Sequence, residues 1–477
     1  MGILSELRPG RVWKFFEEIC GIPHGSYHEK ALSDYCVAFA KERGLSVWQD
    51  KTYNVVIVKE ACAGYENKEP LILQGHLDMV CEKKPECTID FEKDGLSLGI
   101  DGDFVYANGT TLGGDDGIAI AYALAILDDD KLSHPRLEVI FTTCEEVGMD
   151  GATALDVSML RGHTMLNLDS EEEGIFLVGC AGGCTADITL PVVREKRKGL
   201  LAQITVDGLK GGHSGAEIDK GRANANRILA KVLVNFAKET EYALLSIDGG
   251  LKDNAIPREC HAKVLLFEKA DANTLRRATL GVTDEYEATD PDLKVKLEFD
   301  KEWEGEVFSK KIQEHALTLL TALPNGIISM SKDMEGLVQT SLNLGVVKTQ
   351  EDMLTLRYSI RSSIGEEKKT LVSQIVQVVQ QEGAKIAISG EYPAWEYKKD
   401  SPFREDCVRI YREMFGKEPK VQAIHAGLEC GLFAEKIRDL DCVSIGPDIF
   451  NIHTTEERMS IASVQRMWEF LLKIIER

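Results

Sequence analysis

Residues 71 to 80 read LILQGHLDMV. Leu71, Ile72 and Leu73 make a short apolar run of the kind that forms a strand buried on both faces of a sheet. The run then stops on Gly75, His76 and Asp78. A core strand gains nothing from ionisable groups at its tip, although a polar strand end is also ordinary loop chemistry. What decides between the two is whether other segments end the same way.

Several do. LEVIFTTCEEVG closes a strand-like run on Glu145 and Glu146, and TMLNLDSEEEG closes another on Asp169. DCVSIGPDIFNIHTTEE passes from a strand through a Gly-Pro turn to His453, ahead of a closing helical segment. GGDDGIAIAYALAIL sets Asp115 and Asp116 in a glycine-rich loop before a helix. With NVVIVK, and with helical segments over residues 11–21 and 28–43, short apolar strands alternate with helices. That pattern predicts an α/β fold with a mostly parallel sheet covered by helices. In open sheets of this kind ligands bind outside the carboxyl ends of the strands. His76, Asp78, Glu145, Glu146 and Asp169 would all lie on that edge.

The style changes near Cys184. From there to about Ser389 the strands are longer and alternate (ADITLPVV, LAQITVDGL, HAKVLLFEK, LKVKLEFDK, MLTLRYSIRSS, KIAISGEY), with amphipathic helices between them. The α/β style then returns. The expected organisation is a catalytic domain from residues 1–184 and 390–477, interrupted by an inserted α+β lid domain over 185–389.

A net charge of -22 argues against nonspecific binding to nucleic acid or an anionic membrane. No window offers the ~18 consecutive apolar residues of a membrane span. The first residues lack the long apolar stretch of a signal peptide and read as an amphipathic helix. The 12 cysteines form no CxxC pair, as expected of reduced thiols in a cytoplasm.

Each candidate has a plainer explanation. Asp115 and Asp116 suit a helix cap, Glu145 and Glu146 a solvated turn, and Asp169 opens an acidic run of surface type. Thr454 and Glu457 have the spacing of a capping box beside His453. Taken together these explanations fail, because carboxylates gathered on one edge repel and a bound cation is the usual remedy. Two histidines and three or more carboxylates suit divalent zinc, manganese or cobalt. Two ions sharing one bridging carboxylate would use His76, Asp115, Asp169, Glu146 and His453. Asp78 is then left to hold the free ring nitrogen of His76. Glu145 is left to take a proton from a water whose pKa the metal lowers towards ~7.

GHLDMV, GGDDGIA, CEEVGMDGA, LNLDSEEEG, GGHSG and NIHTTEE, in this order, resemble the M20 family of dinuclear metallopeptidases. HAGLECGLF and DNAIPRE add a likeness to its aminoacyl-histidine dipeptidase branch. The resemblance implies one metal on His76, Asp115 and Asp169 and another on Asp115, Glu146 and His453, with zinc the expected ion. It implies Glu145 as general base, Asp78 as support for His76, and a lid that closes over substrate. It also implies that His213 polarises the scissile carbonyl, from its own or a partner subunit, and homodimers are common in the family. Arg361 and Asn254 would hold the substrate carboxylate, and Glu429 its free amine. Arg361 fits a surface ion pair equally well, and Asn254 and Glu429 fit turns or caps. The expected activity is hydrolysis of dipeptides, Xaa-His among them, by metal-bound hydroxide. The rival readings are an N-acyl amino acid amidohydrolase, for which Glu429 has no purpose, and a metal-binding protein without catalysis.

Overall fold

The computed structural model describes residues 2–268 and 270–477. The chain divides into two compact units, one of Met1–Gly179, Tyr397–Ala423 and Leu428–Arg477, the other of Cys180–Glu396 and Ile424–Gly427. Each has its own hydrophobic core. Among the described residues no helix is long and apolar enough to cross a membrane.

The first unit is built on an eight-stranded sheet. At its centre Leu137–Thr142, Leu71–His76, Thr164–Asn167 and Asp441–Ser444 run parallel, in that spatial order. Their residues are buried throughout, as apolar strands covered on both faces must be. Antiparallel strands Val55–Lys59 and Ser46–Gln49 extend one side. The helix Gly114–Leu127 is apolar all round and lies inside the unit, buried from Gly117 to Leu127. It crosses the helix Gly10–Cys20, where a Cβ at Gly117 would stand 3.3 Å from the Phe16 ring.

Gly75 has a comparable reason to be glycine. A Cβ there would meet Asp116 Oδ2 at 2.5 Å and Ala119 Cβ at 2.6 Å. The strand can therefore end on His76 beside the helix only if residue 75 has no side chain.

The closing helix departs from expectation. It runs Ile461–Ile475, with the Ser460 side chain accepting from the Ser463 N–H, so Thr454 and Glu457 do not cap it. The preceding residues instead form a hairpin, Ile449–Phe450 with Arg458–Ser460, and His453 lies on its turn at φ 59°. Arg458–Ser460 also pairs with Phe104–Ala107. Strands of two and three residues whose partner is some 350 positions away leave no periodicity to read.

The second unit is a nine-stranded sheet, antiparallel along its length, with helices Ala225–Glu239, Lys310–Ala322 and Gly365–Gln381 packed on it. Six of its strands are those named from sequence. Tyr242–Gly249, Gly326–Met330 and Val338–Thr349 are additional.

Candidate metal centre

Three of the proposed ligands, His76, Glu146 and Asp169, lie at the carboxyl ends of the parallel strands, and Asp115 and His453 reach them from other elements. His76 is the last residue of Leu71–His76, and Glu145 and Glu146 follow Leu137–Thr142. Asp169 follows Thr164–Asn167, and Asp115 stands at the start of the buried helix. Asp115 is the meeting point. Its Oδ1 lies 3.0 Å from His76 Nε2, and its Oδ2 lies 3.2 Å from His453 Nε2. His76 Nε2 is also 3.4 Å from Asp169 Oδ1, and His453 Nε2 is 2.8 Å from Glu146 Oε1. These are hydrogen-bond distances, and they also suit a cation, since tetrahedral ligands at zinc bond lengths stand about 3.3 Å apart. The sets His76, Asp115, Glu146 and His76, Asp116, Asp169 each offer atoms within 4.8 Å of one another.

Asp116 is the addition here. Neither it nor Asp115 caps the helix through its side chain, and both depart from helical dihedrals. Asp116 Oδ2 instead accepts from the His76 backbone N–H at 3.1 Å. Sequence alone gives it to helix capping because an Asp-Asp pair before an apolar helix looks the same in either role.

The Asp78 carboxylate is 3.5 Å from His76 Nδ1, but the nearer partner of that nitrogen is the Asp78 backbone oxygen, at 2.9 Å. The carboxylate is already engaged by the Ser26 hydroxyl at 2.8 Å and by the backbone N–H groups of Glu145 and Glu146 at 2.9 and 3.3 Å. It therefore orients the loop that carries Glu145 as well as supporting His76. Glu29 adds to this, accepting from the Cys144 N–H at 3.0 Å beneath a residue held at φ 56°.

The charge balance is one-sided. Among the described residues no lysine or arginine pairs with Asp78, Asp115, Asp116, Glu145, Glu146 or Asp169, and histidines are the only cations in reach. Burial raises the carboxyl of Glu145, and the charges on Asp169, Glu429 and Glu146 raise it further. Burial also pushes Asp169 up to about 6, while Asp115, despite its burial, is held low by His453 and His76. Contacts with Asp115 and Glu146 raise His453 to about 10. Burial opposes a charge on His76, yet Asp169, Asp115 and Asp78 lift it well above the usual range. The site thus keeps protons on two imidazoles where a donor set of this kind is suited to divalent ions.

This fixes the sign of a pH effect. An ion needs neutral imidazole, and His453 stays protonated until pH approaches about 10. Ion binding at pH 7 is therefore expected to release protons, and apparent affinity should rise about tenfold per pH unit for each proton released. Calorimetric titration in buffers of different ionisation enthalpy measures the number released. Zero would contradict the assignment of His453 as a ligand. In the metal-free chain the His453 contacts stabilise the fold fully below pH ~6.5, and that contribution is lost as pH rises through about 10.

Glu429 is fully buried in the first unit. Its Oε2 accepts from Gln74 Nε2 and Thr142 Oγ1, each at 2.6 Å, and Gln74 in turn accepts from Asn167. Its Oε1 has no partner. This network ties together the ends of three parallel strands, and sequence gives no sign of Gln74 or Asn167 because uncharged amides in a strand stand out little.

His213, Asn254 and Arg361 belong to the second unit. His213 pairs with Ala255 across a two-residue ladder. Its Nδ1 accepts from the N–H groups of Gly215 and Ala216 at 3.2 and 3.0 Å, which leaves the ring proton on Nε2 as a donor. Burial and Arg361 lower its pKa, so the ring is neutral near pH 7. Arg361 donates from Nη1 to the Tyr392 hydroxyl at 2.9 Å, and its Nε is buried without a partner. A Cβ at Gly215 would touch the His213 ring at 3.0 Å and Arg361 Nε at 3.2 Å, so these two groups flank one glycine. Asn254 is exposed on the adjoining turn.

The profile of peptidase family M20/M25/M40 matches residues 72–477. The cytosol non-specific dipeptidase of Escherichia coli (strain K12) is 40% identical, across 100% of this chain and 99% of that protein. The crystal structure of aminoacylhistidine dipeptidase from Vibrio alginolyticus superposes with a TM-score of 0.94 at 39% identity, covering 100% of this chain and 98% of that one. Aminopeptidase PepT from Bacillus cereus ATCC 10987, at 16% identity and a TM-score of 0.57 over 98% of both chains, shares the fold.

Proposed function

The chain belongs to peptidase family M20/M25/M40, and from that premise we infer that it is a metal-dependent dipeptidase. The observation that carries the reading is Asp115, one buried carboxylate whose two oxygens face two histidines from distant parts of the chain. His76, Asp115 and Asp169 would hold one divalent ion, and Asp115, Glu146 and His453 a second. Zinc is the proposed ion, and manganese and cobalt suit the same donors. When bound, such ions supply Lewis acidity and acidify the water they hold.

The rest falls to the chain's own groups. Glu145, kept basic by burial and neighbouring carboxylates, takes the proton from the attacking water and returns it to the leaving amine. Asp78 fixes the loop that aims Glu145. His213 presents a neutral Nε2 donor suited to the developing oxyanion. Arg361 and Asn254 are assigned to the substrate carboxylate and Glu429, with its free oxygen, to the substrate ammonium. None of the twelve cysteines is joined in a disulfide, which supports a cytoplasmic setting.

The test is a panel of dipeptides, with Xaa-His included, run beside N-acetylated amino acids on chelated and metal-restored protein. Metal-dependent cleavage of free-amine dipeptides is expected. Cleavage confined to acetylated compounds would make the chain an amidohydrolase instead.

A further inference from the structure

Glu457 follows His453 by four residues and is 3% exposed. Its Oε2 accepts from the backbone N–H groups of Leu112 and Gly113 at 2.8 and 3.2 Å, and its Oε1 accepts from Gly114 at 2.9 Å. Three consecutive amides turned to one point form an anion-binding concavity, and here a carboxylate of the same chain fills it. Gly113 adopts φ 66°, and a Cβ on Gly114 would stand 3.3 Å from Glu457 Oε1, so the glycines permit the close approach.

The residue after those three amides is Asp115. The clasp therefore joins the loop that bears Asp115 to the turn that bears His453, whose side chains already meet at 3.2 Å. Its far side is anchored in turn, because Arg458–Ser460 pairs with Phe104–Ala107. His76 has separate fastenings, the Asp116 carboxylate on its N–H and the Asp78 backbone oxygen on its ring. Glu457 touches neither His76 nor Asp169.

We propose that Glu457 is a positioning residue that sets the affinity of the ion on the His453 side, and reaches the ion on the Asp169 side more weakly, only through the shared Asp115. The proposal rests on the two-ion reading above. It separates Glu457 from an ordinary helix cap, whose loss would destabilise the fold without distinguishing one ion from the other.

The experiment uses the full chain, stripped with a chelator and titrated with zinc against a chromophoric competitor. The unaltered chain should bind two ions; binding fewer would sink the two-ion reading itself, and the proposal with it. Glu457→Gln keeps the shape but turns an NH₂ towards a backbone N–H. One of the two dissociation constants is expected to rise about 10- to 100-fold, the range for lost outer partners of a metal ligand, and the other to rise distinctly less. Activity lost at limiting zinc should return as zinc is raised. Equal weakening of both ions, or of neither, would overturn the proposal whatever happens to the melting temperature. Glu457→Asp, which keeps the charge and shortens the reach, should show a smaller loss at the same ion, and it serves as the test if the Gln variant does not fold.

Discussion

Glu145→Gln is expected to lower kcat for a dipeptide by about 100- to 10,000-fold, the usual worth of a positioned general base. Ion binding should stay intact, since Glu145 is placed beside the ligands and not among them. The amide preserves volume, and the Glu145 backbone N–H still reaches Asp78, so the loop keeps its course. KM should change little, because the interaction removed is made in the transition state and not in the ground state. The acid limb of the pH profile is the sharper diagnostic. The acid limb set by Glu145 should flatten in the variant, and a variant that keeps kcat within a few-fold would remove Glu145 from the mechanism.

Asp115→Ala should be more severe. In the two-ion reading each ligand set is completed by a different oxygen of this side chain, since Oδ1 faces His76 and Oδ2 faces His453. Its loss should therefore abolish binding on the His453 side and weaken binding on the Asp169 side by more than the 10- to 100-fold typical of outer partners. Activity should fall to background at any practical metal concentration, unlike the recoverable loss expected of Glu457→Gln. Metal content per chain by elemental analysis decides the point. Two ions retained after dialysis would mean that Asp115 is not the bridge.

Much of this centre can be read from the sequence because three of the four parallel strands end on, or run directly into, ionisable residues. An apolar run followed at once by His76, by Glu145 and Glu146, or by Asp169 is a local signal, and the fold only has to bring the signals to one edge. What could not be read has partners without a side-chain signature. Glu457 acts on three backbone amides, so the same Thr-x-x-Glu spacing points to a capping box at the wrong helix. Asp116 hides in a pair that resembles a cap, and Gln74 and Asn167 are neutral. The hairpin around His453 is too short to show alternation. In the second unit, Val338–Thr349 escapes notice because polar Thr340, Ser341 and Asn343 are buried within it, contrary to the alternation that marks a half-solvated strand.

The sheet order carries a consequence for biosynthesis. Asp441–Ser444 lies beside Thr164–Asn167 in the parallel centre, yet the ribosome makes it some 270 residues later. Until then Thr164–Asn167 presents an unpaired strand edge, the kind of surface that invites association with other chains. The whole of Cys180–Glu396 is translated during that interval and can fold on its own core. At the usual pace of ~5–20 residues per second, the exposed edge waits for roughly 15 to 50 seconds. A chaperone that shields apolar strands should therefore raise the yield of this protein most when it is present during translation, and much less when it is added to chains already released.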